Sequence, residues 1–266
     1  MQKIKFIESS HRYLTEDERD LISVSKFTEK FKAKTDWEKI AKRVANKLTK
    51  EGNPTTAKDV LKKWERKRDL SAQIGTIFHS IKEHELLQKD SHVYYDMECK
   101  TVQTCKSEDI VKWSIPINEL EDNTIYPELM IYDLEHYICG QSDKVIIADG
   151  KINIWDFKTD LKIDFAGYSS EWTPAKKLLP PLDHLDECNG NIYSIKMSLY
   201  MYMLWKANKG RFLPGEICIE HIHLDRDPEN DNIPKLIDGK PIVLRQDIIT
   251  LPYRKKEVIN MLKYAT

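Results

Sequence analysis

Two apolar runs meet at Asp149-Gly150. Gln141–Ala148 enters the pair and Lys151–Lys158 leaves it. Asp-Gly between alternating apolar residues is the strongest short-range sign of a two-residue hairpin. The turn is consistent with Asp143 lying opposite Asp156, whereas a slip of one residue would turn every side chain to the other face. In Ile152-Asn153-Ile154-Trp155-Asp156-Phe157-Lys158, residues two apart share a face. Asp156 and Lys158 therefore project side by side beyond Ile152 and Ile154, with Trp155 and Phe157 on the opposite face. An apolar strand that ends in a carboxylate and an ammonium, with a second carboxylate on its neighbour, needs partners for those charges. Two adjacent carboxylates repel unless a divalent cation lies between them, and carboxylate oxygens with water suit Mg²⁺ or Mn²⁺.

Around this hairpin the pattern alternates between helical and extended. Residues 2–7 and 11–14 read as a short hairpin. Ser23 or Ser25 caps a short helix to about Phe31. Helices follow at about 36–48, 56–67 and 70–89, the last with an apolar stripe through Ile74, Ile77, Phe78 and Ile81. HVYYDMEC, from His92, has strand composition. Strands are expected near 125–133, 136–140, 142–148 and 151–158, forming a mostly antiparallel meander. Residues 159–188, with Pro174, Pro180 and Pro181, show no periodicity, and a segment of that length inside a domain is often functional. A helix at about 189–208, strands at 215–224 and 241–246, and a helix at about 252–264 complete the pattern. The expected fold is α/β, a central mixed β-sheet flanked by helices, with an N-terminal helical elaboration (about 23–90) in a single domain of 266 residues.

Composition excludes several classes. Hydrophobic residues make up 41% and charged residues 32%, which is too apolar for a disordered chain. No apolar run approaches the roughly 20 residues that span a bilayer, and the N-terminus lacks a signal-peptide core, so a cytoplasmic location is expected, in a host cell if the chain is viral. The net charge of −1 announces no polyanionic partner. Locally, residues 58–68 hold six Lys/Arg against two acids, either a solvated helix face or a phosphate-binding surface. The five cysteines, Cys99, Cys105, Cys139, Cys188 and Cys218, include no CxxC pair, which argues for free thiols and against a disulfide framework or zinc site.

Asp143 followed by Asp156-Phe157-Lys158 resembles the D…(D/E)xK signature of PD-(D/E)XK nucleases. The RecB-like exonuclease branch is matched further. Gly75-Thr76-Ile77-Phe78-His79 resembles its helical Gly-x-x-x-His. Glu128 in Tyr126-Pro127-Glu128-Leu129 matches its glutamate on the preceding strand, Gly140 its small residue before the aspartate, and Tyr200 the tyrosine of its Gln-x-x-x-Tyr helix. Lys196 stands where that helix usually has glutamine. The matched motifs lie within about residues 70–220, and their order is more specific than any one of them. The layout, with Pro180-Pro181-Leu182-Asp183-His184-Leu185, is similar to phage-encoded members.

The resemblance implies a restriction-endonuclease-like core (about 70–224) and hydrolysis of DNA phosphodiester bonds, from single-stranded or duplex ends. It implies Mg²⁺ or Mn²⁺ held by His79, Glu128, Asp143, Asp156 and the Phe157 carbonyl. Lys158 would orient or deprotonate the attacking water, and a neighbouring cation would lower its pKa. Lys196 and Tyr200 would contact substrate, with Trp155, Tyr168 or Trp172 available for base stacking. Gly75 would let its helix approach the sheet, and Glu83 could orient His79. Some relatives carry an iron–sulfur cluster on cysteines near the C-terminus; nothing follows Cys218 here, so none is expected. The competing reading is a catalytically inactive nucleic-acid-binding or structural subunit, in which these charges are strand-end ion pairs. His184, His221 and His223 remain unassigned.

Overall fold

In a computed structural model of the chain, residues 3–87, 94–96, 101–103, 111–169, 174–230 and 232–265 are described. In order the elements are β1 (Ile4–Ile7), β2 (Arg12–Thr15), β3 (Asp20–Ser23), α1 (Val24–Glu29), α2 (Trp37–Lys50), α3 (Ala57–Leu87), β4 (Tyr94–Asp96), β5 (Thr101–Gln103), β6 (Val111–Trp113), β7 (Thr124–Asp133), β8 (Ile138–Ala148), β9 (Lys151–Lys158), α4 (Asn189–Ala207), β10 (Leu213–Leu224), β11 (Arg226–Asp227), β12 (Ile233–Pro234), β13 (Leu236–Ile237), β14 (Lys240–Pro241), β15 (Val243–Thr250) and α5 (Lys255–Ala265). The chain divides into two compact units. The first draws on 1–33, 106–223 and 246–266, the second on 34–105 and 224–245.

The first unit is α/β, built on a nine-stranded mixed sheet in the order β15-β10-β9-β8-β3-β2-β1-β6, with β7 also paired to β8. Asp149 (φ 52°) and Gly150 (φ 69°) both take the left-handed region, as a primed hairpin turn requires. The resulting register joins Lys144 to Trp155 and Ile147 to Ile152, antiparallel. β7 runs antiparallel along the other edge of β8, and β10 runs parallel to β9. A bulge in β10 between Pro214 and Ile217 is bridged by Asn153, whose Oδ1 accepts from the Glu216 amide at 2.9 Å.

The expected break between 140 and 142 does not occur: β8 is continuous from Ile138 to Ala148. Each of Val145, Ile147, Ile152 and Ile154 is fully buried, a contribution of about 1.5–3 kcal/mol per side chain. Met197, Leu199, Met201 and Leu204 of α4 complete that core. α4 packs on β7, β8 and β9, and both α1 and α5 pack against α4. α1 starts where Ser23 caps it, its side chain accepting from the Lys26 amide at 3.2 Å. A third N-terminal strand, β3, extends the expected hairpin and pairs with β8 at Ile22–Ile138. The described part of 159–188 contains only an isolated bridge, Lys177–Asp186.

The second unit pairs α2 with α3 through Ala41, Ala45 and Val60, flanked by Val44, Leu48, Leu61 and Trp64. Two helices were expected across 56–89; α3 is a single helix of 31 residues, since no Gly or Pro interrupts residues 64–72 and Asp69 faces solvent. Thr56 and Asp59 cap it reciprocally: Asp59 N donates to Thr56 Oγ1 and Thr56 N to Asp59 Oδ2, each at 3.2 Å. Short antiparallel pairs β4–β5, β11–β12 and β13–β14 supply the rest, with β4, β5, β12 and β14 packed against α3. The β11–β12 pair falls where an irregular loop (225–235) was expected, and β13–β14 lies just beyond it. No helix among the described residues is long and apolar enough to cross a membrane.

Candidate active site

The hairpin register places Asp143 and Asp156 opposite one another at the point where β8 and β9 stop pairing. Asp143 turns into the gap, and its Oδ2 accepts the Phe157 amide at 2.7 Å. On the other edge of β8, the ladder joins Pro127 to Lys144 and Leu129 to Ser142. That register sets Glu128 opposite Asp143. Three carboxylates thus occupy one level of three adjacent strands, β7, β8 and β9. A carboxylate oxygen of Glu128 lies within 4.8 Å of one of Asp143. Asp143 is 9% exposed and the Asp156 side chain 15%, so neither charge is offset by bulk water.

Glu128 has φ 47° in the middle of a strand. A non-glycine residue in the left-handed region is strained by roughly 1–3 kcal/mol, and such residues concentrate at functional sites. The sequence carried no sign of it beyond the preceding proline.

Lys158 lies where its strand position requires. Its ammonium forms an ion pair with Asp156 Oδ2 and donates to the Phe157 carbonyl at 3.1 Å, with the Tyr193 ring 5.2 Å away. Burial works against the lysine's charge, but the carboxylates of Asp156 and Asp143 outweigh it and raise the pKa above the ordinary range. On the other face of β9, Lys144 sits over Trp155 (4.5 Å) and Phe157 (5.4 Å); Trp155 is packed under a lysine rather than open for stacking.

No family model and no curated protein matches this chain.

Tyr200, expected to contact substrate, is 9% exposed. A Cβ on Gly140 would lie 2.5 Å from its hydroxyl oxygen and 2.9 Å from its ring. The glycine upstream of Asp143 and the tyrosine on α4 are thus one contact, bringing α4 against β8. Lys196, one helical turn earlier on α4, donates to Ser25 Oγ at 3.1 Å. Burial, reinforced by Lys158 nearby, holds its pKa below the ordinary lysine range. Sequence reasoning missed Ser25 as its partner, since 171 positions separate the two.

His79 lies on α3 in the second unit, half-buried beside the buried Ile77 and Phe78. Gly75 was expected to permit close packing, yet a Cβ there would meet no atom within 4 Å, so helix geometry alone accommodates it. Tyr168 is 85% exposed, and Trp172 lies outside the described residues. His221 Nε2 donates to the Asp160 carbonyl at 2.8 Å. The Asp160 carboxylate in turn accepts from the Tyr193 hydroxyl at 2.8 Å. His221 and Tyr193 therefore pin the chain as it leaves Lys158. His223 pairs with Asp247 at 2.8 Å, and His184 with Glu257 at 3.4 Å. Each of the three has a structural partner. Cys139, Cys188 and Cys218 are free thiols; Cys99 and Cys105 lie outside the described residues.

Proposed function

We propose that this protein is a metal-dependent nuclease with a restriction-endonuclease-like core of the PD-(D/E)XK type, acting on DNA. The observation that carries the reading is the placement of Glu128, Asp143 and Asp156 on one level of three adjacent strands, beside the Lys158 ammonium. That ammonium touches two of the oxygens, Asp156 Oδ2 and Phe157 O, assigned to a divalent ion from the sequence. It serves as a stand-in cation, and the site's hard oxygen donors fit Mg²⁺ or Mn²⁺. Glu128, Asp143, Asp156 and the Phe157 carbonyl would hold the ion, with His79 assigned to the set by the motif resemblance. When bound, the ion would activate water and polarise the phosphoryl group.

The chain's own groups supply the rest. Lys158, cationic and fixed by Asp156, donates toward developing phosphoryl charge. With the ion in place it would also orient or deprotonate the attacking water. Lys196 adds a second, half-buried ammonium, which could meet a phosphate oxygen. The Phe157 amide holds Asp143, so the carboxylate cannot rotate away as charge changes.

Digestion of end-labelled linear and closed circular DNA, with and without Mg²⁺ or Mn²⁺, tests activity, metal and end dependence together. Asp156→Ala and Lys158→Ala should each abolish cutting while leaving the far-ultraviolet dichroism unchanged. Undiminished cutting by either folded variant would refute the assignment.

A further inference from the structure

A groove of about 850 Å³ opens in the second unit between α3 and the β11–β14 segment. Lys62, Arg66, Leu70 and Ile74 of α3 line it. They recur every four residues, so they form one stripe along the helix. The opposite wall is Ile233, Pro234 and Leu236. A smaller depression of about 370 Å³ shares Lys62, Arg66 and Ile233 and adds Lys63 and Lys67. The two together have an apolar end and a cationic end.

The acids lining the groove are Glu65, Asp69 and Asp227, and each is engaged: Asp227 Oδ1 accepts from the Glu229 amide at 3.1 Å. Glu65 and Asp69 both pair with Arg68, at 3.5 and 2.8 Å. Asp59 accepts from the Thr56 hydroxyl at 2.6 Å and caps the helix. The surplus of Lys/Arg in residues 58–68 therefore falls on a concave surface. Concave walls of low dielectric focus a field that a convex helix face would dissipate into water.

We propose that this groove binds a single-stranded stretch of nucleic acid, with phosphates at Lys62, Arg66 and Lys67 and bases against the apolar wall. Charge complementarity selects a polyanion. The apolar wall selects a single strand, because a duplex buries its base faces. The volume falls in the upper part of the roughly 300–1,000 Å³ range of sites that enclose a ligand, enough for a short stretch of strand. The proposal rests on the nuclease reading for its substrate class, but not on the carboxylates.

The test is fluorescence anisotropy of the full chain with labelled oligothymidylate and, separately, oligouridylate, in EDTA so that strands stay intact. Lys62→Glu/Arg66→Glu should weaken binding roughly ten-fold at moderate salt and flatten the salt dependence, by about 0.7 per lost phosphate contact. Lys39→Glu/Lys42→Glu on α2, matched in charge, should leave it near wild type. On unmodified protein, bound oligonucleotide should protect Lys62 and Lys67 from acetylation. Equal binding by both pairs of variants, equal loss in both, unprotected lysines, or no binding by the wild type would each overturn the groove. Weakened binding by the groove variants, in a chain that never cuts DNA, would uphold the groove and remove the nuclease reading. Cutting with the groove variants bound as wild type would do the reverse. The oligomer bound more tightly identifies the sugar.

Discussion

At the residue scale the site shows how much strand alternation can foresee and where it stops. Asp156 and Lys158 were legible because a two-residue period is rigid, and Asp143 because Asp149-Gly150 permits one register. The level of Glu128 follows from the same ladder, but its left-handed backbone (φ 47°) does not, because no rule of composition places a glutamate there. Such strain persists where the surroundings over-determine it. Glu128→Gly removes both the strained Cβ and a carboxylate facing Asp143. It should stabilise the protein by about 1 kcal/mol while abolishing metal-dependent cutting. Denaturant melts beside the digestion assay measure both, and a Glu128→Gly protein that is less stable than wild type would show that the backbone there is unstrained.

At the element scale, the sequence located α4 but not what docks it. Gly140 was read as one motif residue and Tyr200 as another; only the fold makes them a single contact. Gly140→Ala should therefore cost about 1–3 kcal/mol through overpacking, and Tyr200→Phe in the same chain should recover part of it by removing the nearest atom. Additive losses in a double-mutant cycle would mean that the two residues do not meet. The β7–β8 turn offers a second, independent element. The buried Asp133 accepts the Glu135 amide at 2.9 Å and His136 Nδ1 at 2.8 Å, and Lys206 at 3.2 Å. Burial opposes its ionisation, but the His136 bond and the others outweigh it and hold the pKa below the ordinary carboxylate value. A carboxylate that binds its proton more weakly when folded stabilises the protein above its unfolded pKa. That contribution is lost as pH falls through about 4 and below. Asp133→Asn should thus lower the melting temperature at neutral pH, with the gap to wild type closing toward about pH 3. A gap that stays constant with pH would assign the loss to packing.

At the scale of the whole molecule, the division into two units had no signature in the sequence. No Gly/Ser-rich or Pro-rich linker marks the passages near 34, 105, 224 and 245, and the second unit is assembled from two stretches that lie far apart in the chain. Contiguous helical periodicity, interrupted only by polar residues, likewise concealed that α3 is one helix. The first unit, by contrast, binds its chemistry to its stability. A cluster of carboxylates on neighbouring strands is repulsive when ionised, and Lys158 and Lys196 are among the groups that offset that charge. A ligand that binds only the folded state stabilises by an amount set by concentration over Kd, about 2.7 kcal/mol at a hundred-fold excess. Mg²⁺ or Mn²⁺ should therefore raise the melting temperature, and Asp143→Asn and Glu128→Gln should each remove most of that rise. Without metal the same two substitutions work in opposite senses. Glu128→Gln relieves repulsion and should raise the melting point. Asp143→Asn weakens the bond accepted from the Phe157 amide and should lower it. Calorimetry of the three proteins, with metal and with EDTA, separates a cation site from a strand-end ion-pair network. If the metal-induced rise survives undiminished in both variants, the ion binds elsewhere, and the three carboxylates are structural.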